Sequence, residues 1–381
     1  MSEQDSSEWS TWCDTETASI KQSGRWRAPR SFDATGQVGS LEGKDVVSFA
    51  SNDYLGLTFH PNVKMAAIAA IERWGTGSGA SRLVVGSRPV HHELESAIAR
   101  WRKAEAAVLF PTGFAANLGL LATLGGPNVV IHSDELNHAS IIDGCRMARS
   151  NGASIRTYPH LDLLQLSEHL EDNRGAQQVV VTDSVFSMDG DVAPVAALAT
   201  LCARFRALLV LDEAHSVLEP TPAANLNGAT IVQVGTLSKT LGALGGFVAG
   251  PQTLIDLLVN RARTYIFTTA LSPADAAAAL AALNILQSPE GEALRDRLRS
   301  IIERVHPGHR SPILPIILGD EATALNASHR LLDQGLLVPA IRPPTVAVGS
   351  SRLRVALSAV HTDEQIDALL HALDSIETQG S

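Results

Sequence analysis

A-L-L-V-L-D-E-A-H at residues 207–215 and, after a polar loop, I-V-Q-V-G-T-L-S-K-T-L-G-A-L-G-G at 231–246 together decide the fold. Residues 207–211 and 231–234 are short apolar runs without alternation, the pattern of strands covered on both faces of a parallel sheet. In such sheets ligands bind beyond the carboxyl ends of the strands. Asp212, His215 and Lys239 all fall at that position.

On either side of these runs apolar strand candidates alternate with helical patterns: strand 106–110 with helix 114–124, strand 129–132 with helix 139–149, strand 178–183 with helix 195–204, then strand 207–211. This alternation predicts an α/β fold, a large domain over 45–265 with a mostly parallel sheet and helices on both faces. From Pro273 an alanine-rich helix and an amphipathic one (290–305) lead to strand 313–318, helix 323–334, strands 336–341 and 353–357, and helix 364–376. That order predicts a small C-terminal α+β domain over 266–381. Residues 1–44 form an N-terminal segment whose first 24 residues read as a mobile or loosely docked arm.

The chain has 381 residues and a net charge of −10, with 45% hydrophobic and 18% charged residues. Those values fit a globular protein and argue against a nucleic-acid surface. Anionic substrates must then be met by particular arginines. The acidic start M-S-E-Q-D-S-S-E-W-S lacks a signal peptide's basic start and apolar run. The most apolar stretch, 274–286, is too short to span a bilayer, which needs about 20 residues. The cytoplasm is the expected location. Cys13, Cys145 and Cys202 are odd in number and far apart, so neither a disulfide framework nor a metal site is expected.

Lys239, flanked by Ser238 and Thr240 and followed by glycines, is poorly placed for a solvated surface charge. An amine in a partly apolar site has a lowered pKa and can form a Schiff base with an aldehyde. The cofactor that needs such a lysine together with a carboxylate on a ring nitrogen is pyridoxal 5'-phosphate (PLP). Asp212 is that carboxylate. Taken alone, Asp212 could be a helix N-cap and Lys239 an exposed lysine, but their pairing with Thr236, Ser238 and His215 favours the cofactor. Thr112-Gly113-Phe114 lies between a strand and a helix, so the free amides of the helix N-terminus can hold a phosphate dianion. The glycine-rich G-T-G-S-G-A-S-R at 75–82 lacks both the Lys-Ser/Thr ending and the acidic partner of nucleotide loops, which excludes a nicotinamide-dependent dehydrogenase.

The chain resembles the α-oxoamine synthases, PLP enzymes of the aspartate-aminotransferase fold type that condense an amino acid with an acyl thioester and lose CO2. The resemblance runs from about Arg25 to the C-terminal helix. It rests on S-N-D-Y-L-G-L (51–57), G-T-G-S-G-A-S-R-L-V-V-G (75–86), P-T-G-F-A-A-N (111–117), D-E-L-N-H-A-S (134–140), F-S-M-D-G-D (186–191), D-E-A-H (212–215), G-T-L-S-K (235–239) and R-L-R (352–354). Each is weak alone, and the ordered set is specific.

The resemblance implies roles for single residues. Gly113, Phe114 and Thr236 hold the phosphate, His138 stacks on the pyridine face, and Ser187 and His215 bond the phenolic oxygen. Thr268, with Thr269, reaches the phosphate of a neighbouring subunit in a homodimer. Arg354 holds the amino-acid carboxylate beside Asn52, whereas Arg352 is expected on the opposite strand face, in solvent. The segment 341–346 is similar to that of members joining L-alanine to a pimeloyl thioester on coenzyme A or a carrier protein, which places Arg25, Arg342 and Thr345 on the substrates. Sister activities, such as glycine with acetyl-CoA, and a PLP-binding protein without turnover remain the alternatives. Family members carry a glycine-rich loop after D-E-A-H; here 216–228 is shorter and poorer in glycine.

Overall fold

A computed structural model describes residues 3–219, 222 and 225–377. Its main sheet has the strand order Ala106–Phe110, Gly246–Gly250, Ala229–Thr236, Leu208–Asp212, Gln177–Asp183, Val129–Asp134, Ser154–Tyr158. These seven strands run the same way except Gly246–Gly250, which is antiparallel to both of its neighbours; the short Asn225–Leu226 adds an antiparallel pairing to Ala229–Thr236. Side chains of the central strands alternate between two buried clusters. Val181, Val210 and Val234 pack on one face, and Val180, Leu209, Leu211 and Ile231 on the other. Both faces are dry, so the sequence shows no polar alternation. Strand 154–158, helix Leu163–Asp172 and the antiparallel strand 246–250 are elements beyond those expected.

The C-terminal part holds an antiparallel sheet of Ile313–Gly319, Ser351–Ala356 and Ala340–Ile341. The strand expected over 336–341 is in fact two short pieces in two different sheets. Leu336–Leu337 pairs with Lys44–Ser48, completing a sheet with Phe32–Ala34 and Val38–Leu41. The cause is Val338-Pro339-Ala340: Pro339 has no amide to donate, and its carbonyl accepts from Arg354 N at 3.0 Å, turning the chain toward the second sheet. Within the N-terminal arm Glu3–Gln22 is helical. A shared core of Phe49, Tyr54, Leu283, Leu298, Leu353 and Leu357 joins the two ends of the chain.

Helices Pro61–Trp74 and Pro273–Leu286 pack closely on each other. Among the described residues no helix is long and apolar enough to cross a membrane. Cys13, Cys145 and Cys202 are free thiols. The loop at 216–228 includes residues 220, 221, 223 and 224, which lie outside the described residues.

Candidate active site

Because all but one strand run the same way, their carboxyl ends line one edge of the sheet. Asp183, Asp212 and Thr236 each end a strand there, and Gly113 opens the helix that follows strand 106–110. These residues, with Phe114, Asn117, His138, His215 and Lys239, enclose a cavity of about 250 Å³.

Thr112 caps helix Gly113–Leu124 through its side chain, which accepts from Ala115 N at 3.0 Å. The Gly113 and Phe114 amides have no carbonyl partner within the helix and border the cavity. Facing them is Thr236, whose hydroxyl lies 2.7 Å from Ser238 Oγ. A Cβ on Gly113 would stand 3.2 Å from Thr236 Cβ, so glycine is what lets the two walls approach. Backbone donors, two hydroxyls and a helix N-terminus form a cradle suited to a dianion.

Asp212 is 5% exposed. Its Oδ2 accepts from Asn117 Nδ2 at 2.6 Å and its Oδ1 from Ala214 N at 3.0 Å. The second bond closes a turn rather than capping a helix. Asn117 is held in turn by donating to Ser140 Oγ at 2.9 Å, while its own Oδ1 is buried without a partner. Asp183 lies in the same cavity, accepting from His138 N at 2.8 Å. Burial, and then the neighbouring Asp212, raise the Asp183 pKa well above the carboxylate range.

Lys239 Nζ lies 2.8 Å from His215 Nε2. Burial lowers the lysine pKa, against the opposing pull of Asp212 and Asp183. Burial and the Lys239 charge together push His215 well below 6.5, so its ring is neutral. The other ring nitrogen lies 2.6 Å from the Tyr54 hydroxyl, which donates to Asn52 Oδ1 at 3.0 Å. Since Tyr54 has one proton to give, His215 Nδ1 carries the hydrogen and its Nε2 lone pair faces Lys239. Asn52 Oδ1 also accepts from Arg354 Nη2 at 3.1 Å, so a single chain of bonds runs from Arg354 to the lysine. Burial raises the Tyr54 pKa to about 12 and keeps its proton in place.

Thus Lys239, Asp212, His138, His215, Gly113, Phe114 and Thr236 converge, with Asn52 and Arg354 adjoining through hydrogen bonds. His138 caps helix Ala139–Ser150, with Nδ1 2.7 Å from Ser140 Oγ. Ser187 meets this group through its carbonyl, which accepts from Arg354 Nε at 2.5 Å. Arg352 corrects the expectation: it is 7% exposed and ion-paired with Asp189. Residues two apart share a strand face, so Arg352 and Arg354 point the same way.

Other candidates lie apart from the cavity. Arg25 and Arg342 gather around Glu321, at 2.7 and 3.8 Å. Thr345 is exposed, its amide bonded to the Arg342 carbonyl. Thr268 borders a second cavity of about 920 Å³ with Leu118, Met147 and Arg263. Asn117, Asp183 and Tyr54 were not singled out from sequence. Asn117 and Tyr54 sit inside the quoted motifs, and the one-turn spacing of Asn117 from Gly113 was the available signal. Asp183 had only its place at a strand's carboxyl end.

Residues 44–373 match the family model for aminotransferase class I and II. The chain is 42% identical to the 8-amino-7-oxononanoate synthase of Geobacter sulfurreducens, covering 95% of this chain and 96% of that protein. It is 46% identical to that of Methylococcus capsulatus over 87% and 89% of the two chains. Among solved structures, serine palmitoyltransferase from S. paucimobilis with a bound PLP–myriocin aldimine superposes with a TM-score of 0.89 at 29% identity, over 97% of each chain. 8-Amino-7-oxononanoate synthase from Francisella tularensis superposes with a TM-score of 0.72 at 28% identity, over 88% of this chain and 97% of that one.

Proposed function

We infer that this chain, which belongs to the aminotransferase class I and II family and within it to the α-oxoamine synthases, holds PLP in the Lys239 cavity. There it joins L-alanine to a pimeloyl thioester, giving 8-amino-7-oxononanoate, CO2 and a free thiol, a step of biotin biosynthesis. The observation that carries this reading is the convergence of Lys239, Asp212 and the Gly113 cradle on one cavity. Cradle, carboxylate and amine match the phosphate, ring nitrogen and aldehyde of the cofactor.

When bound, the cofactor supplies an aldehyde for amine exchange and a protonated ring that draws electrons from the amino acid's Cα. Asp212, pinned by Asn117 and Ala214, would hold a proton at the ring nitrogen. The Gly113 and Phe114 amides and the Thr236 hydroxyl would hold the phosphate, with His138 on the cavity wall beside the ring. Lys239 Nζ, whose pKa burial lowers, would serve as the base at the amino acid's Cα and return a proton there. Arg354 binds the carboxylate with a bidentate guanidinium, its direction set by Ser187 and Asn52. Arg25, Arg342 and Thr345 are assigned to the acyl substrate.

The active unit is a homodimer. Leu83, Val84 and Val85 are 52%, 73% and 67% exposed and Phe267 is 70% exposed, an apolar surface that a monomer would leave in water. Thr268 is then placed to reach the partner's phosphate. Free thiols fit a reducing compartment, the cytoplasm. The fold likeness to serine palmitoyltransferase keeps serine and a long-chain acyl thioester as the second reading.

The test is product analysis by mass spectrometry. Purified holoenzyme is given alanine, serine or glycine with pimeloyl-CoA, a pimeloyl carrier protein, palmitoyl-CoA or acetyl-CoA. Alanine with a pimeloyl thioester is the expected productive pair. Faster turnover of any other pair overturns the assignment.

A further inference from the structure

The turn at 186–191 carries one partner of each buried arginine: the Ser187 carbonyl on Arg354 Nε and the Asp189 carboxylate on Arg352, the other partners being Asn52 and the Ser350 carbonyl. It is a tight hairpin, with Phe186 N donating to Asp191 O at 3.0 Å and Gly190 N to Phe186 O at 2.8 Å. It also abuts the small sheet directly. Gly190 has φ +71°, and a Cβ there would overlap the Ile313 carbonyl. Whatever fixes this turn therefore fixes the Nε side of the Arg354 guanidinium, with Asn52 holding Nη2.

The fixing group is His160, which bonds the last residue of the turn, Asp191. Its Nε2 lies 2.5 Å from Asp191 Oδ2 and its Nδ1 3.0 Å from Asp134 Oδ1. Asp134 ends a central strand, has no exposed side-chain surface, and is anchored by Leu136 N and Leu161 N, each at 2.9 Å. The His160 amide is bonded to Glu135 Oε1 at 3.0 Å, and the edge of its ring packs on Phe186 with centroids 4.4 Å apart. Burial alone would lower its pKa, but hydrogen bonds to Asp134 and Asp191 raise it to about 10. With both ring nitrogens on carboxylates, the ring is a cationic clamp between the rigid sheet and the turn.

We propose that His160 is a positioning residue for amino-acid binding: through Asp191 it holds the 186–191 turn so that Ser187 aims Arg354 at the substrate carboxylate. The proposal rests on the reading of Arg354 given above. Substitution of His160 frees the turn from the sheet while leaving the Lys239 cavity's own bonds intact. It should therefore act on the amino acid far more than on the cofactor, whose cradle, carboxylate and lysine all lie off this turn.

The experiment titrates holoenzyme with alanine, following the cofactor's visible absorption, for the wild type, His160→Ala, Asp191→Asn and Arg354→Ala. The PLP dissociation constant and the KM for the acyl thioester are measured in parallel. Alanine affinity should fall on the order of tenfold in His160→Ala, since a displaced positioning group costs about that much or more, and less steeply in Asp191→Asn. PLP binding and the acyl thioester KM should stay within about twofold of the wild type. If His160→Ala does not fold, Asp191→Asn, which keeps the side chain's size, decides alone. Alanine affinity unchanged in the folded variants, or an equal loss of PLP and alanine binding, overturns the proposal. Unchanged alanine binding in Arg354→Ala would instead fell the reading of the carboxylate site on which it rests.

Discussion

Asp212→Asn puts the cofactor chemistry to its most direct test. The carboxylate uses one oxygen for Asn117 Nδ2 at 2.6 Å and the other for Ala214 N at 3.0 Å. An amide has one acceptor oxygen, so either bond can survive, and at the other position an NH2 faces a donor. Losing a hydrogen bond to a charged group is worth about 1.5–3 kcal/mol. Withdrawing a preorganised electrostatic partner from the reacting system costs about 3–4 kcal/mol in the transition state. The site is buried, and Asn117 itself is fixed by Ser140, so no rearrangement restores the charge. Turnover should fall at least roughly 100-fold to 1,000-fold, with PLP retained through the Gly113 cradle. The acid limb of the residual rate should also move to lower pH. Burial already lowers the Lys239 pKa against the opposing effect of Asp212, and without that carboxylate the lysine is neutral at lower pH still. The assay is steady-state thiol release alongside exchange of the alanine α-proton in D2O, over a pH series. Exchange within threefold of the wild type would mean that another acid faces the ring nitrogen, with Asp183 the first to examine.

Gly113→Ala should weaken PLP binding about tenfold, because the new Cβ stands 3.2 Å from Thr236 Cβ and holds the cradle open; fluorescence titration of apoenzyme with PLP measures it, and unchanged affinity would move the phosphate elsewhere. Thr268→Ala should weaken both PLP retention and dimerisation, since ligand bound across an interface couples the two by mass action; a fully active holo-monomer in the ultracentrifuge would exclude the shared site. His361 is buried, accepting from Ser358 N on Nδ1 and lying 3.0 Å from the Ser48 carbonyl on Nε2, and burial lowers its pKa to about 4. Its contribution to stability is present above pH 6.5 and is lost as pH falls through 4, by up to about 3 kcal/mol. Denaturant midpoints of the wild type should fall over that window and those of His361→Gln should fall less; parallel curves would refute the assignment.

The amino-acid pattern alone was enough for the parallel sheet and for the strand ends at which the candidate site lies. Apolar runs ending in Asp212 and leading to Lys239 place both residues at one sheet edge, because a charged side chain is costly on a strand face that is covered from both sides. Period and length likewise located the helices that follow those strands. Local pattern could not decide what long-range contact decides. Residues 336–341 read as one strand, yet Pro339 and two competing sheet partners divide it. Arg352 read as solvated, but the turn at 186–191, more than 160 residues away in sequence, brings Asp189 to it. That Arg25 and Arg342, more than 300 residues apart, meet at Glu321 is likewise set by the fold alone. The chain from Arg354 through Asn52, Tyr54 and His215 to Lys239 joins four distant segments, so no spacing in the sequence could announce it. Period fixes which face a side chain takes, whereas the partner on that face is set only when the whole chain has closed.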